Sequence, residues 1–74
     1  MRFSEKVHYA RIKLGYSQER LAQELHVSFA TINRWENGKT EPRKMAIILF
    51  SKFCEDNNVN FSCLEEDEAY GTNK

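Results

Sequence analysis

The chain has 74 residues, of which 41% are hydrophobic and 30% are charged. A chain of this length holds one small domain, which excludes an open α/β enzyme fold and a second hydrophobic core. Eleven Lys and Arg balance eleven Asp and Glu, so the net charge is zero. The charges are segregated, however, because residues 1–53 carry +5 and residues 54–74 carry −5. A neutral total therefore does not exclude an anionic partner for the basic part.

The apolar runs and the cysteines indicate the expected compartment. The longest apolar run, residues 45–50, has six residues, whereas a membrane-spanning helix needs about 20. The N-terminal residues show no apolar stretch behind a basic start, so we predict no signal peptide. We therefore expect a cytoplasmic location and no membrane partner. Cys54 and Cys63 are too few for a metal quartet, and we expect ordinary thiols rather than a disulfide or a metal site.

The first helix is predicted to begin at Ser4, whose hydroxyl suits the N-cap position. Gly15 suits the left-handed position that ends a helix. Between them, four residues recur at the spacing of one helix face: Val7, Ala10, Arg11 and Leu14.

Two short helices are predicted to follow, each with a serine cap. Ser17 caps the second helix, and its apolar stripe consists of Leu21, Ala22 and Leu25. Ser28 caps the third helix, in which Ile32 and Trp35 share a face, and Gly38 ends it.

The fourth helix is predicted to have Pro42 in its first turn, where the missing N–H costs nothing. Its predicted core face consists of Met45, Ala46, Ile48, Leu49 and Phe53. Residues 56–58 end this pattern. A short, acidic fifth segment is expected over residues 61–70, with a possible capping box at Ser62 and Glu65. No stretch alternates in the manner of a strand, so the predicted fold class is all-α, a compact bundle of four to five short helices.

Residues 18–37, QERLAQELHVSFATINRWEN, carry the most specific pattern. Two short helices are joined by about three residues, with a small Ala22 for close helix contact and His26 in the tight turn. This spacing is typical of a helix-turn-helix, which presents its second helix to the major groove of DNA.

The sequence here resembles the phage-repressor and Cro-like helix-turn-helix proteins, also called the Xre family. The matching segments are SQERLAQEL and VSFATINRWENGKTEP, together with the spacing of Arg11 before Gly15. The resemblance covers roughly residues 4–53. It implies a lambda-repressor-like domain, which we place at residues 4–54, followed by an acidic tail at residues 55–74. One departure is His26, where the family usually has glycine, and this residue must therefore adopt a positive φ.

The resemblance also implies roles for individual residues. Base contacts are expected from the third helix: Phe29, Ala30, Thr31, Asn33 and Arg34. Phosphate contacts are expected from the start of the second helix and the loop after the third: Gln18, Asn37, Lys39, Thr40 and Arg43. Arg11 and Glu36 are expected to form a mostly buried ion pair that joins the first helix to the end of the third.

The resulting prediction is a sequence-specific double-stranded DNA-binding protein, a transcriptional regulator of the repressor type. The alternative is an antitoxin or a restriction-modification controller, which would use the same domain with a protein partner bound through the tail. No cofactor is implied. No phosphate loop, catalytic triad or carboxylate pair in a pocket-forming context supports an enzyme.

A homodimer is also predicted, because one recognition helix contacts too few base pairs to select one site in a genome. The candidate dimer surface is apolar: Ile47, Phe50, Cys54, Phe61 and Leu64. The alternative is intramolecular, with Phe61 and Leu64 folding back over the fourth helix.

Overall fold

A computed structural model describes residues 2–39 and 42–61. It contains four helices: α1 (Phe3–Leu14), α2 (Gln18–Leu25), α3 (Phe29–Asn37) and α4 (Lys44–Asp56). The described residues include no strand, which confirms the all-α class. The predicted fifth segment lies outside the described residues except for Phe61.

The starts of α2 and α3 follow the sequence closely. The Ser17 hydroxyl accepts a hydrogen bond from the Arg20 backbone N–H at 3.0 Å, and Ser28 accepts one from Thr31 at 3.1 Å. Each hydroxyl satisfies one of the N–H groups that a helix start leaves without an intrahelical acceptor. The predicted caps at Ser17 and Ser28 are confirmed.

The starts of α1 and α4 were predicted wrongly. α1 begins before Ser4, since the Glu5 carboxylate accepts the backbone N–H of Arg2 at 3.0 Å and so completes the first turn without a serine cap. α4 begins two residues after Pro42, since Arg43 has an extended backbone with φ −75° and ψ 156°. Pro42 therefore precedes the helix instead of lying in its first turn.

The left-handed turns that end α1, α2 and α3 lie where the sequence places them. Gly15, His26 and Gly38 have φ values of 72°, 61° and 67°. His26 adopts this conformation despite its Cβ, as expected because it stands where the family usually has glycine. These turns let each helix reverse direction within a few residues and pack on its predecessor.

The predicted core faces of the first three helices are confirmed. α3 packs against both α1 and α2, and α4 packs across the same two helices. Trp35 is half-buried, and its ring lies edge-on to Phe3 with the centroids 5.3 Å apart. The fully or nearly fully buried side chains of these helices are Val7, Ala10, Leu21, Ala22, Leu25 and Ile32.

The predicted core face of α4 is wrong in large part. Met45, Ile48 and Leu49 are 78%, 58% and 41% exposed, whereas Phe50 and Phe53 are buried together with Cys54. Six consecutive apolar residues place an apolar side chain on nearly every side of the helix, so periodicity alone did not identify the inner one. Contacts with the rest of the molecule determine which side of α4 is buried, since the Phe50 ring packs against the Phe3 ring with the centroids 5.5 Å apart.

The chain after α4 returns to the core. Asn58 has a positive φ of 59°, and the Val59 N–H donates to the Cys54 carbonyl at 2.8 Å. Val59 is thereby buried, and Phe61 packs beside the Phe50 ring at 6.4 Å between centroids. Core packing thus includes Val59 and Phe61, which lie beyond the predicted end of the domain at residue 54.

This packing corrects the candidate dimer surface. Phe50 and Cys54 are buried within the chain, so they are unavailable to a second copy. Phe61 folds back, as the intramolecular alternative expected, although Leu64 and Cys63 lie outside the described residues. Burial also raises the pKa of the Cys54 thiol to about 11.

Candidate nucleic-acid interface

The turn between α2 and α3 sets the direction in which α3 projects. The Val27 backbone N–H donates to the Ala22 carbonyl at 2.9 Å, directly after the left-handed His26. Ala22 is 4% exposed, and its small side chain lets the two helices approach closely. Ile32 is fully buried on the side of α3 that faces the core, so the remaining side of that helix faces solvent.

Four of the five predicted base-contacting residues lie on this solvent side. Phe29, Ala30, Asn33 and Arg34 are exposed, and they form two adjacent rows because each pair four residues apart shares a face. Thr31 is half-buried, and its hydroxyl lies 2.9 Å from that of Ser28. Thr31 therefore contributes to the helix start as well as to the surface.

The predicted phosphate-contacting residues lie at two ends of the helix pair. Gln18 is the first residue of α2, where backbone N–H groups without intrahelical acceptors favour an anion. Asn37, Lys39 and Arg43 are exposed at the end of α3 and the beginning of α4. Thr40 lies outside the described residues.

Arg11 and Glu36 are brought together across α1 and α3. Arg11 Nε donates to Glu36 Oε2 at 2.6 Å, and Arg11 Nη2 donates to Glu36 Oε1 at 3.1 Å. The two side chains are 16% and 9% exposed. A bidentate, largely buried pair of this kind fixes the geometry of the two helices it joins.

A family profile described as helix-turn-helix matches residues 7–55. The chain belongs to this helix-turn-helix family. This membership confirms the family resemblance that the segments SQERLAQEL and VSFATINRWENGKTEP indicated.

A curated relative of this helix-turn-helix chain is the HTH-type transcriptional activator BcrR of Enterococcus faecalis. It is 40% identical over 53 residues, which are 72% of the chain and 26% of the relative. The chain thus spans about a quarter of the length of the curated relative that it matches. No solved structure matches significantly.

Sequence reasoning missed several further contacts in the ion-pair cluster of this helix-turn-helix. Gln18 Nε2 donates to Glu36 Oε1 at 3.2 Å, and His8 Nδ1 lies 3.3 Å from the same oxygen. Arg11 Nη1 also donates to the Tyr16 carbonyl at 3.1 Å. His8 lies one turn before Arg11 on α1, which was the available signal, but its partner is 28 residues away in sequence.

The cluster changes the protonation of its carboxylate. Burial alone raises the pKa of Glu36, but hydrogen bonds from Arg11, Gln18 and His8, with the charge of Arg11, hold that pKa below its ordinary value. In turn, the hydrogen bond from Glu36 raises the pKa of Arg11. The pair therefore stays ionised, and α1, the start of α2 and the end of α3 are joined at one charged point.

A groove between α3 and the start of α4 was also missed. Its volume is about 720 Å³. The lining is mostly apolar, with two arginines: Val27, Thr31, Arg34, Trp35, Pro42, Arg43, Met45, Ala46 and Leu49. Sequence reasoning did not find the groove because it placed Met45 and Leu49 in the core.

Two absences apply to the part of the chain that the structure describes. None of its helices has the length and apolar character needed to cross a membrane. Residues 2–39 and 42–61 contain no group of three His, Cys, Asp or Glu side chains that could hold a metal ion.

Proposed function

We propose that this chain binds double-stranded DNA sequence-specifically and regulates transcription, with the N-terminal half of α3 in the major groove. The observation that carries the proposal is the exposure of Phe29, Ala30, Asn33 and Arg34 on a helix held from behind by Ile32. The family and the relative's name support it. Repression was expected from the resemblance, whereas the relative is an activator, so the proposal covers regulation in either direction.

The proposed base contacts follow from side-chain chemistry. Arg34 carries a planar guanidinium that can bond guanine O6 and N7 together. Phe29 and Ala30 offer apolar surface to the methyl group of thymine. Thr31 and Asn33 complete the proposed base-contacting set with shorter polar groups.

The proposed phosphate contacts hold the duplex on either side of α3. Gln18 would act at the N-terminus of α2, where the helix dipole favours a phosphate. Asn37, Lys39, Thr40 and Arg43 would act on the other side, and such contacts position the protein without selecting a sequence.

Selection of bound sequences from random DNA tests the proposal, followed by affinity measurements on the selected site. Arg34→Ala should cost about 1–3 kcal/mol at that site and relax the preference at one base pair. Lys39→Ala should weaken binding to all sequences alike and lower the salt slope by about one.

Lys52→Ala is the matched control, since it removes one positive charge from the exposed side of α4. It should leave both the selected sequence and the salt slope close to those of the parent. A parent chain that enriches no sequence would refute the proposed function, whereas an unchanged preference in Arg34→Ala would remove only Arg34 from the base contacts.

Binding of two copies to one operator stays a proposal. Two recognition helices in successive major grooves would lie about 34 Å apart and would double the number of base pairs read. Sedimentation of the complex at increasing DNA gives the stoichiometry, and one copy per operator at saturation would contradict pairing.

A further inference from the structure

The groove beside α3 leaves a large apolar surface uncovered among the described residues. One wall is formed by Val27 and Trp35, and the other by Met45, Ala46 and Leu49. Met45 and Leu49 are 78% and 41% exposed, and the adjoining Ile48 is 58% exposed. An apolar surface of this kind more often marks a contact than an isolated exposed side chain does.

Among the residues that the structure describes, the charged side chains at the mouth of the groove are cationic. Arg34 and Arg43 line it, and Lys44 begins α4 beside them. Among residues 2–39 and 42–61, no carboxylate forms an ion pair with any of these three side chains. α4 also starts without a side-chain cap and without an acidic residue in its first turn. The groove thus suits an occupant with apolar side chains next to carboxylates.

We propose that this occupant is residues 62–74 of the same chain, the part of the acidic tail that follows Phe61. Leu64 offers the apolar side chain, and the four acidic residues 65–68 follow it directly. Residues 62–74 carry four acidic side chains and one lysine, a net charge of −3, whereas Arg34 and Arg43 line the groove, so these residues and the groove are opposite in charge. Docking brings Leu64 to the apolar walls and carboxylates to the arginines.

The distance is within reach of the chain. Phe61 is anchored beside Phe50 of α4, with the ring centroids 6.4 Å apart. Residues 65–68 lie four to seven positions later, which corresponds to about 13–25 Å of extended chain. A helix with its side chains is about 10–12 Å across, so a path around half of it is about 16–19 Å long, which the chain from Phe61 to the acidic residues can span.

A second copy is a poorer occupant of the groove. Two-fold pairing through this surface would bring the same patch of each copy together, so Arg34, Arg43 and Lys44 would face their own counterparts. Like charges brought together in this way oppose association. The tail instead supplies the opposite charge at high effective concentration, because it is covalently joined to the domain.

Docking has a consequence for DNA binding that rests on the proposed function. Arg34 lines the groove and is also the strongest proposed base-contacting residue. A tail that pairs with Arg34 competes with DNA for it, so the docked state binds DNA more weakly. The docking itself does not depend on that function and is measurable without DNA.

Trp35 makes the docking observable, since it lies in the groove and is the only tryptophan of the chain. The experiment measures its emission and its quenching by acrylamide in the full-length chain. The test variant is Glu65→Gln/Glu66→Gln, and the control, Glu55→Gln/Asp56→Asn, removes two charges from the exposed end of α4. Leu64→Ser is a second test variant that leaves every charge in place.

The tail variants should expose Trp35 to acrylamide, and the control should not. Two lost ion pairs should lower the ratio of docked to undocked chains by about fivefold. Salt that shortens the Debye length from about 10 Å to about 3 Å should have the same effect on the parent and little effect on the variant. The parent's emission should not depend on protein concentration.

Each result supports or overturns a distinct statement. Equal quenching of parent, tail variants and control would overturn the docking, and a concentration-dependent signal accompanied by dimer sedimentation would assign the groove to a second copy. The DNA measurement is separate: the tail variant should bind the selected site about fivefold more tightly than the control. Docking without that gain would overturn the competition but not the docking, and failure to select any DNA would overturn the proposed function alone.

Discussion

The two flanks of α3 are built from different chemistry. On the side of α1, Arg11 and Gln18 donate to Glu36, and His8 lies beside the same carboxylate. Among the described residues that are not exposed, no buried side-chain nitrogen or oxygen lacks a hydrogen-bond partner. On the side of α4, the flank is an open groove whose apolar walls are partly exposed.

The two flanks therefore have different roles. The α1 flank fixes the orientation of α3, whereas the α4 flank leaves a surface that another molecule can contact. Hydrogen bonds and bidentate ion pairs are directional, so the α1 flank defines the angle of the helix. Apolar contacts are non-directional and need only a surface to cover. The α4 flank can therefore accept an occupant without changing the angle at which α3 projects.

The largest expected effect tests which side of α4 is the inner one. Phe50→Ala should destabilise the fold by about 3–5 kcal/mol, since it opens a cavity in the core. Ile48→Ala, two residues earlier on the same helix, should change stability by no more than about 0.5 kcal/mol. Urea unfolding measures both. Similar losses would mean that Ile48 is covered in solution and that the α4 flank is closed.

The second prediction concerns the polar flank. Arg11→Ala or Glu36→Ala should each cost about 3 kcal/mol, because each leaves a largely buried partner without its counter-charge. The double variant should cost less than the sum of the two, which a double-mutant cycle measures. The exposed Arg20 and Glu24 form the control pair, with Nε and Oε2 3.0 Å apart, and should show much weaker coupling. Equal coupling in the two cycles would refute a special role for the Arg11 pair.

The third prediction is the pH dependence of the same flank. The pKa of Glu36 is lowered in the fold from an ordinary value of 4.5. The unfolded chain therefore takes up a proton first as the pH falls, so the stability from Glu36 is complete above pH 4.5 and is lost through the lower folded pKa. Glu36→Gln should start less stable and lose less on acidification. Parallel stability curves from about pH 5 to about pH 3 would contradict this.

The smallest effect is expected at the turn between α2 and α3. His26 is held at φ 61°, where a Cβ costs about 1–2 kcal/mol. His26→Gly removes that cost but frees the unfolded chain, so the net gain should be about 0.5–1 kcal/mol. Gly15→Ala, at φ 72° with no atom within 4 Å of the added Cβ, should show the opposite sign. Thermal unfolding compares the two, and destabilisation by His26→Gly would mean that its side chain has a contact of its own.

The polar and apolar flanks were not equally predictable. The caps at Ser17 and Ser28, the left-handed turns that end the first three helices, and the stripe of α2 depend on neighbours in sequence, and these features were predicted. The α4 face was not, because residues 45–50 are apolar on nearly every side of the helix. In the candidate site, the exposed positions of α3 followed from the spacing of Ile32 and Trp35, whereas the bond from Gln18 to Glu36 joins residues 18 apart and left no local signal.

The sequence by itself determined the helical class, the position of the helix-turn-helix and the side that α3 turns to solvent, since each depends on spacing within about two turns. Only the tertiary structure decided which face of α4 is buried and where the chain after it goes. Phe50 is inside because Phe3 and Phe61 meet it there, and Met45 is outside because no described residue of the chain covers it. That choice left the cationic groove open beside Arg34, and it depends on packing between residues that are distant in sequence.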